Sequence, residues 1–177
     1  MKIIILGLVF ILFFSCKDGL STNEPQSPDT STLKEYLVFG NVAVGWGCRT
    51  SRLFMIANGQ LYADTSNAYC EAFRAQKSYI FKGYLLPETE YQKAKAMLTE
   101  LPTGFFTSAQ KVFGCPGCAD GGMLYLSYKK EGIIDANWQV DDAVYYRETD
   151  TNNKPFPPYV ANYGKLAFQV FGKVKVK

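Results

Sequence analysis

The sequence predicts an α+β domain: an antiparallel β-sheet built from hairpins, with one inserted helix and one C-terminal helix on one face. Two hairpin signals and, between them, a helical pattern that opens on a proline point to this arrangement. A second helical pattern closes the chain. Strands in hairpins with helices gathered on one face are typical of α+β proteins. Residues 33–177 are expected to form this single domain.

The first predicted strands lie on either side of a short turn. Residues 36–46 are apolar and β-branched, and Gly45 and Gly47 indicate a bulge at their end. Residues 52–57 and 60–64 flank Asn58-Gly59, a dipeptide that favours a type I′ hairpin because both residues accept positive φ angles. Residues 79–85 are expected to add a further strand.

The inserted helix is predicted to start at Pro87, which suits the first helical position, and to end before Pro102 and Gly104. Strands over residues 123–128 and 133–140 then form a second hairpin, and residues 143–147 are expected to extend the sheet. Residues 148–158 read as a polar, proline-rich loop. From residue 160 to residue 174, apolar residues recur at three- and four-residue steps, which indicates an amphipathic helix.

The chain begins with an export signal. Met1 and Lys2 give a positive start, and residues 3–14 are an uncharged apolar run that is too short for a bilayer span of about twenty residues. Residues 1–15 are therefore predicted to be a signal peptide. Residues 16–32 are rich in Ser, Thr, Pro, Asn and Asp, a composition expected of a flexible tether.

The end of the apolar run, Leu12-Phe13-Phe14-Ser15-Cys16, resembles the lipobox of bacterial lipoproteins. The resemblance implies that Cys16 is acylated, for instance by palmitate, and holds the domain to a membrane of the cell envelope, expected to be the outer membrane, with the domain outside the cytoplasm. Phe13 and Phe14 depart from the usual pattern of a leucine and a small residue. The alternative is an ordinary cleaved signal in which Cys16 is incidental.

Two disulfides are expected because exported thiols meet an oxidising compartment. If Asn58-Gly59 is the hairpin loop, the numbers of paired residues sum to 117, which places Cys48 opposite Tyr69. A bulge near Gly47 would shift the pairing by one residue and bring Cys48 opposite Cys70. This favours one of the three connectivities allowed by the remaining cysteines: Cys48 with Cys70, and Cys115 with Cys118.

Cys115 and Cys118 also form a C-x-x-C pattern. In thioredoxin-like enzymes a helix N-terminus lowers the pKa of the first thiol, whereas here Asp120-Gly121-Gly122 leads into a strand. A structural clip is favoured, with a redox pair in which Cys115 attacks and Cys118 resolves as the alternative. A zinc site of four cysteines is disfavoured because only one C-x₂-C pair exists. Residues 113–122 resemble a C-P-x-C-A-D-G-G segment of small uncharacterised Bacteroidota lipoproteins, which implies a localisation and no mechanism.

Other catalytic chemistry finds little support. The chain has no histidine, which excludes Ser-His-Asp and Cys-His catalysis. Asp141 and Asp142 would not converge as an acid–base pair, since adjacent strand residues point to opposite faces. They are expected to form a charged turn after Val140. Glu148 with Asp150 is the other acidic grouping, and Asp120 reads as a turn residue. No catalytic residue, metal or cofactor is expected.

The sequence therefore predicts a membrane-anchored envelope lipoprotein with a non-enzymatic binding or structural role. Its partner would be a protein, a peptide or a glycan contacted through exposed tyrosines. Nucleic acid binding is not expected, because the net charge is only +3. The alternative is an envelope thiol-disulfide oxidoreductase that uses the Cys115–Cys118 pair.

Overall fold

The structure is a computed structural model that describes residues 26–44, 48, 51–77, 79–118, 121–131 and 134–176. Within these residues one sheet contains seven strands, arranged in the spatial order β4-β3-β2-β1-β6-β7-β5. The strands are β1 Glu35–Ala43, β2 Arg52–Ala57, β3 Gln60–Asp64, β4 Tyr84–Leu85, β5 Val112–Phe113, β6 Gly122–Lys130 and β7 Ile134–Asp141. The helices are α1 Ala68–Arg74, α2 Glu88–Ala94, α3 Ala96–Thr99, α4 Gly104–Thr107 and α5 Pro158–Lys173, with a 3₁₀ helix over Asp142–Tyr145.

The α+β prediction is confirmed. Every strand pairing is antiparallel except that of the two-residue strand β5 with β7, which is parallel. Strands β2 and β3 have the predicted bounds, and Leu53 pairs with Asp64 in the predicted register. Asn58 and Gly59 have φ angles of 52° and 71°, as a type I′ turn requires. The second hairpin is also present, as β6 and β7.

The segment after β7 differs from the prediction. Residues 143–147 were expected to extend the sheet, and this is wrong, because Asp142–Tyr145 is a 3₁₀ helix. The Asp141 carboxylate accepts the Ala143 N–H at 2.9 Å and so caps this helix at its start. Of the strand predicted over residues 79–85, only Tyr84–Leu85 pairs, with β3. The Tyr79 hydroxyl instead donates to the Asp64 carboxylate.

Both faces of the sheet are covered, each by a separate apolar core. Along β1, Leu37 and Phe39 point to one face, which is packed by α2 to α5 and is called the helix face below. Val38 and Val42 point to the other, where α1 and the Cys48–Cys70 disulfide pack, and this is called the disulfide face. The two predicted helices therefore lie on one face, as expected, while α1 on the opposite face was not predicted.

The chain segment before β1 meets the edge of the sheet. Gln26 forms an isolated β-bridge with Tyr84, and the Ser27 N–H donates to the Gly83 carbonyl at 2.7 Å. The expected tether thus includes residues that pair with β4. Among the helices of the described residues, none combines the length and the apolar character that crossing a bilayer requires.

Two glycines of α5 provide a matched test of the packing between this helix and the 3₁₀ helix. A Cβ added at Gly164 would lie 2.4 Å from Val144 Cγ2, whereas a Cβ at Gly172 would meet nothing within 4 Å. Gly164→Ala should lower the free energy of unfolding by about 1–3 kcal/mol through overpacking. Gly172→Ala should raise it by about 0.5 kcal/mol, because alanine loses less backbone entropy in a helix. Urea titrations of both variants measure the two effects, and a stabilising Gly164→Ala would contradict the described contact.

Candidate functional site

An open cleft of about 250 Å³ lies on the helix face, between the C-terminal half of α5 and the 3₁₀ helix. Strands β1 and β2 form its base, where Asn41 pairs with Arg52. Phe168 and Phe171, three residues apart on α5, share the helix side that faces the cleft. The residues that line it, called the aromatic cleft below, are Asn41, Arg52, Phe54, Tyr145, Tyr146, Phe168 and Phe171.

The walls of the aromatic cleft are a continuous group of rings. Phe54 and Phe171 stack with their centroids 6.3 Å apart, and Phe168 lies 5.9 Å from Tyr145 and 5.2 Å from Tyr146. Phe54 and Tyr145 are buried, whereas Tyr146 is 70% exposed and Phe168 is 46% exposed. Large aromatic side chains that remain in water beside a concave site are characteristic of binding surfaces.

The polar groups of the cleft are mainly hydrogen-bond donors. The Tyr145 hydroxyl donates to Asn41 Oδ1 at 3.4 Å, so this oxygen is already occupied. Burial, together with the nearby Asp142 carboxylate, raises the pKa of Tyr145 well above its ordinary value, and the hydroxyl therefore stays protonated. Within the described residues no carboxylate lies within 4.0 Å of the Arg52 guanidinium. The cleft thus combines aromatic surface with a cation that has no ion-pair partner in the described chain.

The two cysteine pairs have the connectivity that the sequence favours. Cys48 is joined to Cys70 and Cys115 to Cys118, each with a Cα–Cα distance of 5.5 Å. The sequence analysis expected Cys70 to face Cys48 across an extended hairpin. In the structure β3 ends at Asp64, and Cys70 reaches Cys48 from helix α1 instead. The Asp64 carboxylate accepts the Ser66 N–H at 2.8 Å and turns the chain out of the strand.

The Cys-Pro-Gly-Cys loop is held at both ends by adjacent aspartates. Asp141 Oδ2 accepts the Cys115 N–H at 3.2 Å, and Asp142 Oδ2 accepts the Gly122 N–H at 2.7 Å. Within the loop the Cys118 N–H donates to the Cys115 carbonyl at 3.1 Å, which closes a tight turn. Asp141 and Asp142 therefore bind backbone at different points and do not converge as a catalytic pair.

Asp141 is 1% exposed, and its carboxylate accepts further hydrogen bonds from the backbone N–H and the hydroxyl of Thr151. Burial raises the pKa of this carboxyl, but the hydrogen bonds from Thr151, Ala143 and Cys115 outweigh burial and hold the pKa below its ordinary value of 3.8. The negative charge lies beside Cys115.

The remaining acidic residues named from the sequence have structural partners where they are described. Asp150 Oδ1 accepts the N–H groups of Asn152 and Lys154, each at 2.8 Å, and Glu148 Oε1 lies 3.0 Å from Lys165 Nζ. Cys16 and Asp120 lie outside the described residues. In the part of the chain that the structure describes, no group of three or more potential ligand side chains is placed to hold a metal ion.

The residues of the aromatic cleft were not identified from the sequence. Asn41 and Arg52 come from neighbouring strands, whereas Tyr146 and Phe168 come from segments whose proximity only the fold shows. One signal was present in the helical pattern. Phe168 lies outside the apolar series formed by Val160, Tyr163, Ala167, Val170 and Val174, and a large apolar residue outside a core-facing series marks a second surface.

Replacing Asp141 tests its role as a hydrogen-bond acceptor. Asp141→Asn should lower the free energy of unfolding by about 1–3 kcal/mol at neutral pH, because the amide presents an N–H₂ group to backbone donors. Since the folded-state pKa is depressed, the wild-type contribution is complete above about pH 4 and is lost as the pH falls through the folded value. The variant should lack this loss. Urea titrations from pH 2 to pH 7 check it, with exposed Asp135→Asn as the control; equal pH profiles for wild type and Asp141→Asn would refute the role.

Comparisons with known proteins found no relative of this chain. No protein-family model matches it, and neither a curated protein nor a solved structure is similar enough to it to count as a match. The resemblance to Bacteroidota lipoproteins stays a prediction.

Proposed function

We propose that the protein is a lipid-anchored lipoprotein of the bacterial cell envelope with a non-enzymatic binding role, exerted through the aromatic cleft. The anchor would be the acylated Cys16, with residues 1–15 removed as a signal peptide. The observation that carries the binding role is the exposure of Tyr146 and Phe168 beside an Arg52 that has no carboxylate within 4.0 Å among the described residues.

The chemistry of the cleft favours a ligand with an apolar or aromatic group attached to an anion. The volume of about 250 Å³ suits one large side chain more than an extended molecule. The aromatic walls contribute apolar contact area, and a guanidinium forms paired hydrogen bonds with a carboxylate. A protein or peptide segment that presents a large apolar side chain next to an acidic group has this chemistry.

The oxidoreductase alternative gains no support from the described residues. The Cys115 N–H is taken by the Asp141 carboxylate, and among the described residues no helix begins at this cysteine, so the helix N-terminus that activates the thiol of such enzymes is missing there. The turn over residues 115–118 and the strand β6 that begins at Gly122 favour a structural clip.

Probe binding tests the aromatic cleft. Anilinonaphthalene sulfonate combines an aromatic body with an anion, so its fluorescence should rise saturably with the native wild-type protein. Phe168→Ser with Tyr146→Ser should weaken this binding at least about tenfold, since each exposed ring contributes apolar contact worth about 1 kcal/mol. Arg52→Gln should weaken it less. Ile80→Ser is the control, because Ile80 is an equally exposed apolar residue elsewhere at 64%. Equal loss in the control, or none in the cleft variants, would argue against this site.

Lipid labelling tests the anchor separately. Cells that express the full chain and receive an alkyne-tagged palmitate should yield a labelled protein in the membrane fraction. Cys16→Ser should abolish the label and leave the domain without its attachment, because the acceptor thiol is gone. Ser15→Ala retains a small residue before the cysteine and should stay labelled. Labelling that persists in Cys16→Ser would show that residues 12–16 are not a lipobox.

A further inference from the structure

A second groove lies on the disulfide face, on the opposite side of the sheet from the aromatic cleft. It has a volume of about 450 Å³ and runs between α1 and the exposed face of β6 and β7. Helix α1 leaves this part of the sheet open because it is only seven residues long and is held by the Cys48–Cys70 disulfide. The groove, called the tyrosine–amide groove below, is formed chiefly by Tyr69, Phe73, Gln76, Tyr125, Asn137 and Gln139.

One wall of the groove is aromatic. The Tyr69 ring lies 4.2 Å from the Tyr125 ring and 6.3 Å from the Phe73 ring, with Tyr79 at 5.2 Å in an edge-on arrangement. Tyr69 itself is buried, so the parts of this wall that solvent reaches are Tyr125 of β6 and Phe73 of α1, both half-buried. Flat aromatic surfaces of this kind pack against the C–H faces of sugar rings as well as against other rings.

The other wall carries side-chain amides. Asn137 and Gln139 are two residues apart on β7 and therefore point to the same side of the sheet. The Gln139 amide lies beside the Tyr69 hydroxyl. The amides of Asn137 and Gln76 are exposed to solvent at the edge of the groove. An amide both donates and accepts, and the same is true of a hydroxyl group, so these groups match a ligand rich in hydroxyls.

The polar groups of the groove are nearly all uncharged. Burial raises the pKa of Tyr69, Tyr79 and Tyr125 above the ordinary value, so their hydroxyls remain neutral donors. Lys77 is the one charged side chain among the lining residues that the structure describes, and it is exposed. A nucleic acid strand would need several cations along its phosphates, which this groove lacks.

We infer that the tyrosine–amide groove binds an uncharged carbohydrate, whose ring packs against the half-buried Tyr125 and Phe73 while its hydroxyls bond with Asn137, Gln139 and Gln76. The site is separate from the aromatic cleft, so it stands or falls independently of the function proposed for that cleft. It would give the domain two binding surfaces of different chemistry on opposite faces of one sheet.

A panel of immobilised neutral oligosaccharides, covering hexose, pentose and N-acetylhexosamine polymers, tests this inference with the purified full-chain protein. At least one polymer should bind saturably. Asn137→Ala with Gln139→Ala should weaken that binding about tenfold or more, because two of the amides that bond with the sugar hydroxyls are lost. The substitutions lie on an open face, and thermal melting should show the variant folded.

Two control variants and one further test variant make the outcome decisive. Lys77→Gln should bind the sugar as the wild type does, and so should the cleft variant Phe168→Ser. Tyr125→Leu, which keeps an apolar side chain but removes the ring, should weaken binding. The inference is overturned if no neutral oligosaccharide binds, if the folded Asn137→Ala, Gln139→Ala variant binds normally, or if Lys77→Gln abolishes binding, which would indicate an anionic ligand.

Discussion

The buried carboxylate of Asp141 holds together the chain segments around the end of β7. It accepts hydrogen bonds from Ala143, Cys115 and Thr151, and so joins the end of β7 to the 3₁₀ helix, to the Cys-Pro-Gly-Cys loop and to the loop before α5. Its bond to Ala143 starts the 3₁₀ helix that ends at Tyr145; Tyr146 follows directly, and these two tyrosines form one wall of the aromatic cleft. An ionised group at 1% exposure is tolerated because its oxygens are fully engaged.

The sheet separates two surfaces because side chains alternate along its strands. On the helix face, α5 covers most of the sheet and leaves the aromatic cleft, with Arg52 as its cation. On the disulfide face, the short helix α1 covers less and leaves the tyrosine–amide groove. The disulfide between Cys48 and Cys70 holds α1 against β1, and a constraint of this kind suits an exported domain.

Features encoded locally were predictable, and features that depend on distant contacts were not. Asn58-Gly59 specifies its own turn and thereby the register of β2 and β3, and the apolar steps of α5 specify one buried side. Strand β5 pairs for two residues with β7 in parallel, and no pattern that short is visible in a sequence. The cysteine pairing was predicted from an extended hairpin, yet Cys70 reaches Cys48 from a helix, because the Asp64 carboxylate ends the strand. Both proposed binding surfaces combine residues from distant segments, so the sequence could not locate them.

The pKa of the Asp141 carboxyl measures the central interaction most directly. A ¹³C NMR titration of the side-chain carboxyl groups, with Asp141 assigned through the spectrum of Asp141→Asn, gives this value in the folded protein. We expect a pKa below 3.8, since the hydrogen bonds from Thr151, Ala143 and Cys115 stabilise the charged form more than burial destabilises it. A pKa at or above 3.8 would contradict the account, because the hydrogen bonds from these segments would then not outweigh the cost of burying the charge.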